Sequence, residues 1–221
     1  MKKLKIPSNL TTLAYNSIKE YILDGKMDED SRLTEDFLSN QLGISKSPIR
    51  EALNRLEAEG LIRIEPRKGA YLRRLSIDEI NELYDLREAL EVHVVRTAKL
   101  TPALLAELRQ SLKRQRALLK ANDKPHYIQE DVLFHSKLAQ STHNSYLCSV
   151  LENIQNQIWL SRRTSYDLSS SSAPDYHDAI LKALEDSNSD KAQQAMRAHI
   201  RNVRERLVQS MEQKSPVEAL Q

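Results

Sequence analysis

Residues 42–60 read LGISKSPIREALNRLEAEG, and their pattern decides how the rest of the chain is read. Ile49, Ala52, Leu53 and Leu56 recur at i, i+3, i+4 and i+7, the spacing of one apolar helix face. Opposite them stand Lys46, Ser47, Arg50 and Asn54, a donor-rich face with little acid before Glu57. Gly43 permits a sharp turn before the helix, and Ser45 or Ser47 can accept the unpaired N–H groups at its start. Pro48 falls in the first turn, where its missing N–H costs nothing, and Gly60 ends the helix. A turn followed by a short helix over 45–59 with such a face suits the major groove of DNA.

Working outward, residues 10–24 predict a helix with Leu13, Ile18, Ile22 and Leu23 largely on one side. Residues 25–31 read as a turn. Residues 34–41 predict a second helix, opened by Thr34, with Glu35 and Asp36 in the first turn where acids suit the helix dipole. Residues 61–65 and 70–74 read as two short strands about a turn at 66–69. Three helices and a hairpin tipped with basic residues make a winged helix-turn-helix. Its wing residues Arg67 and Lys68 can reach the DNA backbone or minor groove.

Composition bounds the alternatives. With 221 residues the chain suits one large or two small domains, and four Gly and seven Pro favour helix over sheet. The net charge of +2 says little about nucleic acid, but its distribution says more. Residues 45–74 hold eight bases against four acids, while residues 76–221 carry 19 Lys+Arg against 20 Asp+Glu. A local basic patch is the footprint of a compact DNA reader. The single cysteine, Cys148, excludes an internal disulfide and suits a reducing compartment. No run of 18 apolar residues is available to span a membrane, and none follows MKKLKIPSN as a secretory signal would. A cytoplasmic location with no membrane contact is expected.

From Ser76 onward the pattern is continuously helical. Six helices are predicted, at 76–99, 102–121, 126–141, 144–167, 174–187 and 189–213, with a Ser-rich loop before the fifth and fraying after Lys214. The expected fold is mainly α. A winged helix-turn-helix domain at 1–75 precedes an all-helical domain at 76–221. Within the second domain, polar residues occupy apolar stripes. Asp131 and His135 are four apart on the stripe of Ile128, Val132, Leu138 and Ala139. His177 leads Ile180, Leu181 and Leu184, and His199 sits among Met196, Ile200, Val203 and Leu207. A buried carboxylate is costly without compensation, so these groups should meet each other, a metal, or both. Asp-x-x-x-His on one helix face is metal-ligand spacing. A histidine taken singly at such a position is more often a satisfied core residue than a ligand, and for the four together the pattern leaves both readings open.

Arg87 lies on the stripe of Ile80, Leu83, Tyr84, Leu90 and Val94. It reads either as an internal ion pair with Glu88, Glu91 or an acid elsewhere, or as a two-pronged anchor for an anionic ligand. Tyr84, Tyr146, Tyr166 and Trp159 read as core or pocket wall. Arg201, Arg204 and Arg206 read as a solvated helix face, and His93, His126 and His143 as surface residues.

The stretch YILDGKMDEDSRLTEDFLSNQLGISKSPIREALNRLEAEGLIRIEPRKGAYL resembles the winged-helix domain of GntR-type bacterial transcription regulators. LSIDEINELYDLREALEVHVVRTA, DVLFHSKLAQSTHN and the spaced His177 and His199 look like the FCD effector domain of the FadR branch, and six helices resemble its VanR-like subgroup. The resemblance covers residues 10–213. It implies a homodimer reading a palindromic operator in double-stranded DNA, as a repressor whose affinity is set by a small metabolite, an organic acid by preference. It implies a divalent metal held by Asp131, His135, His177 and His199, zinc first with nickel or manganese as alternatives. Arg87 then corresponds to a residue facing the effector pocket. Ser45, Lys46, Ser47 and Arg50 fit the family's DNA contacts, with Gly69 in the wing; Asn54, Arg67 and Lys68 extend that surface.

Three departures narrow the likeness. MDEDSRL replaces a frequent Pro-Gly. Asp36 stands where some members carry a DNA-touching arginine, and it would repel phosphate. Lys46 replaces a frequent arginine and cannot reproduce a bidentate guanine contact. Two competing readings are a regulator that senses the metal itself and a metal-dependent hydrolase. No general base accompanies the ligands, so an enzyme is not expected.

Overall fold

A computed structural model describes residues 9–27, 31–169 and 172–214, excepting the side chains at 9, 160, 163–169 and 214. The acids at 28–30, part of the Ser-rich loop, the Tyr166 side chain and the tail after Lys214 lie outside the described residues. Two units are present, Met1–Arg74 and Leu75–Gln221.

In the first unit, α1 (Asn9–Leu23) buries Ala14, Ile18 and Ile22. Strand β1 (Arg32–Leu33) follows, then α2 (Glu35–Leu42), whose N-cap Thr34 accepts from the Phe37 N–H at 3.1 Å. Gly43 ends α2 at φ +64°, a left-handed conformation that favours glycine. Next comes α3 (Lys46–Ala58), which buries Ile49, Ala52, Leu53 and Leu56 as its periodicity requires. Ser45 holds the N-cap position of α3 but makes no capping bond through its side chain, contrary to one of the two expected caps. Gly60 adopts φ +74°, and the Leu61 N–H bonds back to Leu56 O at 3.0 Å, closing the helix.

Strands β2 (Ile62–Glu65) and β3 (Gly69–Leu72) form the hairpin. The sheet has three strands in the order β1-β3-β2, both pairings antiparallel. The third strand, β1, was not expected: residues 32–33 lie between the turn read at 25–31 and α2, and no strand was read there. Two residues carry no readable alternation, and what makes them a strand is long-range pairing of Arg32 with Tyr71 and Leu33 with Ala70.

The second unit contains, among the described residues, α4 (Ile77–Thr97), α5 (Pro102–Lys120), α6 (Lys124–Gln140), α7 (Ser145–Ser169), α8 (Ala173–Glu185) and α9 (Ser189–Lys214). A capping box starts α4: Ser76 Oγ accepts from the Glu79 N–H and Glu79 accepts from the Ser76 N–H. Helix α6 begins two residues earlier than expected, because Asp123 is its N-cap and Pro125 lies in its first turn. The α9 arginines are not simply solvated. Arg197 and Arg201 both reach Glu88 on α4, and Arg204 reaches Asp85, which ties α9 along α4. Tyr84 and Trp159 are buried as expected, whereas Tyr146 is 84% exposed and is no part of the core. Among the described residues no helix is long and apolar enough to cross a membrane.

Candidate functional site

The polar residues on apolar stripes converge. Asp131 and His135 from α6, His177 from α8 and His199 from α9 are all buried, with ligand-type atoms within 4.8 Å of one another. The Nε2 atoms of His135, His177 and His199 form a triangle with every side 3.2 Å. Asp131 Oδ1 stands 3.6 Å from His177 Nε2 and has no hydrogen-bond partner.

Their neighbours fix which ring nitrogen carries the proton. His135 Nδ1 faces Glu91 Oε2 on α4 in a very short contact. His177 Nδ1 lies 2.7 Å from Gln115 Oε1 on α5, and the Gln115 amide nitrogen donates toward Ser111 Oγ. Both Nδ1 atoms therefore donate, so in the neutral rings both Nε2 atoms present lone pairs to the centre. Lone pairs 3.2 Å apart cannot bond one another; they need a shared cation or proton. Donors about 2.0–2.1 Å from a tetrahedral ion lie about 3.3 Å from each other, so the triangle has the right size for a metal. The His199 Nδ1 has no hydrogen-bond partner.

Two buried arginines balance the two buried acids. Arg162 Nη1 on α7 donates to Asp131 Oδ2 at 2.6 Å, and Arg87 Nε donates to Glu91 Oε1 at 2.7 Å. Burial alone would raise the Asp131 carboxyl, but Arg162 and the three imidazoles hold it well below the ordinary carboxylate range. Burial opposes Glu91 in the same way, and His135 and Arg87 bring it down to about 2. Burial pushes His177 down to about 3, with Asp131 opposing and His135 adding, and drives His199 well below its ordinary value, with His177 and His135 adding. Every helix of the unit thus sends at least one polar side chain to this centre. Arg87, for which an anion anchor and an internal ion pair were both open, has Glu91 as its partner.

Glu91 was named in the sequence only as one of several possible partners for Arg87, and its bond to His135 was not foreseen. Gln115 and Arg162 were missed entirely. Gln115 and Ser111 are fully buried polar residues four apart on α5, a detectable signal of the kind used for Asp131 and His135. Arg162 sits in the polar run SRRTSYD, which carries no periodic signal.

The residues expected on the DNA-facing side lie in the first unit. Ser45, Lys46, Ser47, Arg50, Asn54, Arg67 and Lys68 are exposed and Gly69 is half-buried. Arg50, Asn54, Arg67, Lys68 and Gly69 line one groove of about 430 Å³, together with Glu35 and Asp36. The basic residues are less free than the sequence implied. Glu35 takes both Arg50 Nε and Nη2 at 2.8 Å, and Asp36 lies 2.5 Å from Lys46 Nζ. Lys68 and Arg63 both pair with Glu65. At the wing tip Pro66 precedes Arg67 at φ +64°, and the Lys68 N–H bonds Glu65 O, the pattern of a type II turn. Gly69 has a local structural reason: at φ +121° an added Cβ would lie 2.8 Å from Leu33 O of β1.

Comparison with known proteins finds a family match within each unit. Residues 10–72 match the family described as bacterial regulatory proteins, gntR family, and residues 82–202 match the FCD domain. The HTH-type transcriptional regulator YdhC of Bacillus subtilis is 27% identical over 216 residues, 96% of each chain. The HTH-type transcriptional repressor RspR of Escherichia coli is 28% identical over 189 residues, 83% of this chain and 82% of its own. Among solved structures, E. coli McbR/YncC superposes with a TM-score of 0.82 at 22% identity, covering 92% of this chain and 99% of its own. That last likeness speaks for the fold.

Proposed function

The chain belongs to the gntR family of bacterial regulatory proteins and carries an FCD domain; on that premise we propose that it is a repressor switched by a small organic acid bound beside a divalent metal ion. It is a transcriptional regulator and not an enzyme, as its family and relatives are. The observation that carries the metal-dependent part is the 3.2 Å triangle of imidazole Nε2 atoms beside the unpartnered Asp131 oxygen.

Asp131, His135, His177 and His199 would hold the ion, zinc first, with nickel or manganese as alternatives. The ion would supply a concentrated positive charge and open positions for a carboxylate. Glu91 and Gln115 fix two of the rings, and Arg162 keeps Asp131 ionised. Arg87 would meet the organic acid through its Nη groups, since its Nε is committed to Glu91.

On the DNA side, Ser45, Lys46, Ser47, Arg50 and Asn54 would enter the major groove. Arg67, Lys68 and Gly69 would lie along the adjacent backbone. A homodimer would read a palindrome with half-sites about one helical turn apart. Repression is supported by the similarity to RspR. The acid acts only if it binds the DNA-competent and incompetent states unequally.

Elemental analysis of the purified protein and duplex selection from a random library test the two halves together. We expect bound divalent metal, an enriched palindrome, and loss of operator binding when the correct acid is added to metal-loaded protein. The variant His135→Ala/His177→Ala is expected to lose the metal, and Arg50→Ala the enriched base preference. Unchanged metal content in the former removes the metal site, and an unchanged motif in the latter removes the recognition helix.

A further inference from the structure

The acid–base pairing between α2 and α3 has a direction that bears on DNA reading. The Arg50 guanidinium is 62% exposed in its side chain, yet it is held by Glu35 through two hydrogen bonds of 2.8 Å. Those bonds use Nε and Nη2, the side-on edge of the planar fork. A guanidinium has five N–H groups in fixed directions. With the side-on edge occupied, the end-on edge formed by Nη1 and Nη2 remains for a second acceptor pair. Guanine presents such a pair, O6 and N7, in the major groove.

Glu35 is suited to the task. It lies in the first turn of α2 behind the Thr34 cap, and its side chain is 31% exposed against 62% for Arg50. The Arg50 hydrogen bonds hold its carboxyl below the ordinary value, with burial opposing, so it is ionised at neutral pH. It also lines the same groove as Arg50, Asn54 and the wing tip. An acid on a phosphate-facing surface weakens general DNA attraction. Its presence here has a purpose if it aims a base-reading arginine.

We propose that Glu35 is a positioning residue for DNA recognition, clamping Arg50 side-on so that its outer edge is presented to a guanine. This rests on the DNA-reading assignment of Arg50 made above. Asp36 beside Lys46 is a second acid–base pair between the same helices. Lysine has no planar edge to orient, so the inference does not extend to that pair.

The test uses the full-length, metal-loaded protein and duplexes selected from a random library by the wild-type chain. Affinities for the selected duplex, for single-base substitutions of it and for an unrelated duplex are measured with wild type, Glu35→Gln, Glu35→Asp and Arg50→Ala. Gln offers one acceptor where Arg50 needs two, and Asp keeps the charge but shortens the reach. Both should lose roughly three- to tenfold of the preference for guanine at one base pair, the same one that Arg50→Ala loses. Glu35→Gln should bind the unrelated duplex more tightly, because one phosphate-repelling charge is gone.

If Arg50→Ala loses a guanine preference that both Glu35 variants keep, the clamp is wrong while the recognition helix stands. If Glu35→Gln binds the selected duplex more tightly with its base preference intact, Glu35 masks Arg50 instead of aiming it, which also overturns the proposal. If Arg50→Ala loses no preference, the underlying DNA assignment has failed. Equal thermal midpoints of the variants exclude a folding defect, and a loss confined to one base pair is something a purely structural role would not produce.

Discussion

Replacing Glu91 by glutamine tests the proposed metal centre without touching any of the four residues proposed to hold the ion. Each Glu91 oxygen has its own donor: Oε1 takes Arg87 Nε at 2.7 Å, and Oε2 takes His135 Nδ1. Glutamine has the same shape but only one acceptor oxygen, so one of the two bonds must fail and an N–H must face a donor. If the His135 bond fails, its ring loses the partner that fixes its tautomer and orientation. Loss of such a partner costs about 10–100-fold in metal affinity. Independently, Arg87 and Glu91 are each only 2% exposed in their side chains, so the variant leaves a buried guanidinium without its counter-charge. Breaking a buried pair from one side costs about 3–5 kcal/mol. The two effects separate in a second variant, Arg87→Met/Glu91→Leu, which removes the buried charge pair together and leaves His135 Nδ1 with no acceptor. Urea unfolding should show most of the lost stability restored there, while calorimetric metal titration still shows the weakened affinity. Metal affinity within twofold of wild type in the folded double variant would refute the role assigned to Glu91.

Two further outcomes follow from particular contacts. Gly69→Ala sets a Cβ 2.8 Å from Leu33 O at a positive φ; it should cost about 1–3 kcal/mol in urea unfolding and weaken DNA binding through the wing, and a stability equal to wild type would show that β1 can move aside. Glu88→Ala removes the acid shared by Arg197 and Arg201. Because these arginines are about half exposed, the loss should stay below about 1 kcal/mol at neutral pH. The Arg201 hydrogen bonds hold the Glu88 carboxyl below its ordinary value. Its contribution is therefore present above that ordinary value and lost as pH falls through the lowered one; a penalty that grows toward acid pH would contradict the pairing.

What the sequence disclosed and what it hid differ in physical kind. Ile49, Ala52, Leu53 and Leu56 set α3 by local periodicity, and Asp131, His135, His177 and His199 stood out because each interrupts an apolar stripe. Both signals live within one helix. Gln115 acts on those residues from α5, and its spacing from Ser111 is also a mark within one helix. Glu91 and Arg162 act on them from α4 and α7, and a pairing between helices leaves no mark in either helix alone. The same holds for β1, which exists through its register with β3. Asp36 shows the limit most clearly. Read alone it is a charge that repels phosphate, but in the structure it faces Lys46.

The charges around the imidazoles link the proposed metal to the proposed organic acid. Two buried acids, Asp131 and Glu91, face two buried arginines, Arg162 and Arg87. Metal ligation requires the imidazoles to be neutral, so this set of side chains is balanced before any ion enters. A divalent cation then leaves two positive charges in a place where uncompensated charge is expensive. The protein supplies no further acid among the described residues of this cluster. An anion brought from outside would offset that excess, one charge for each carboxylate, and a carboxylate would do so while also filling an open coordination position. The proposed organic-acid effector is thus supported by the electrical balance of the site as well as by the likeness to the family.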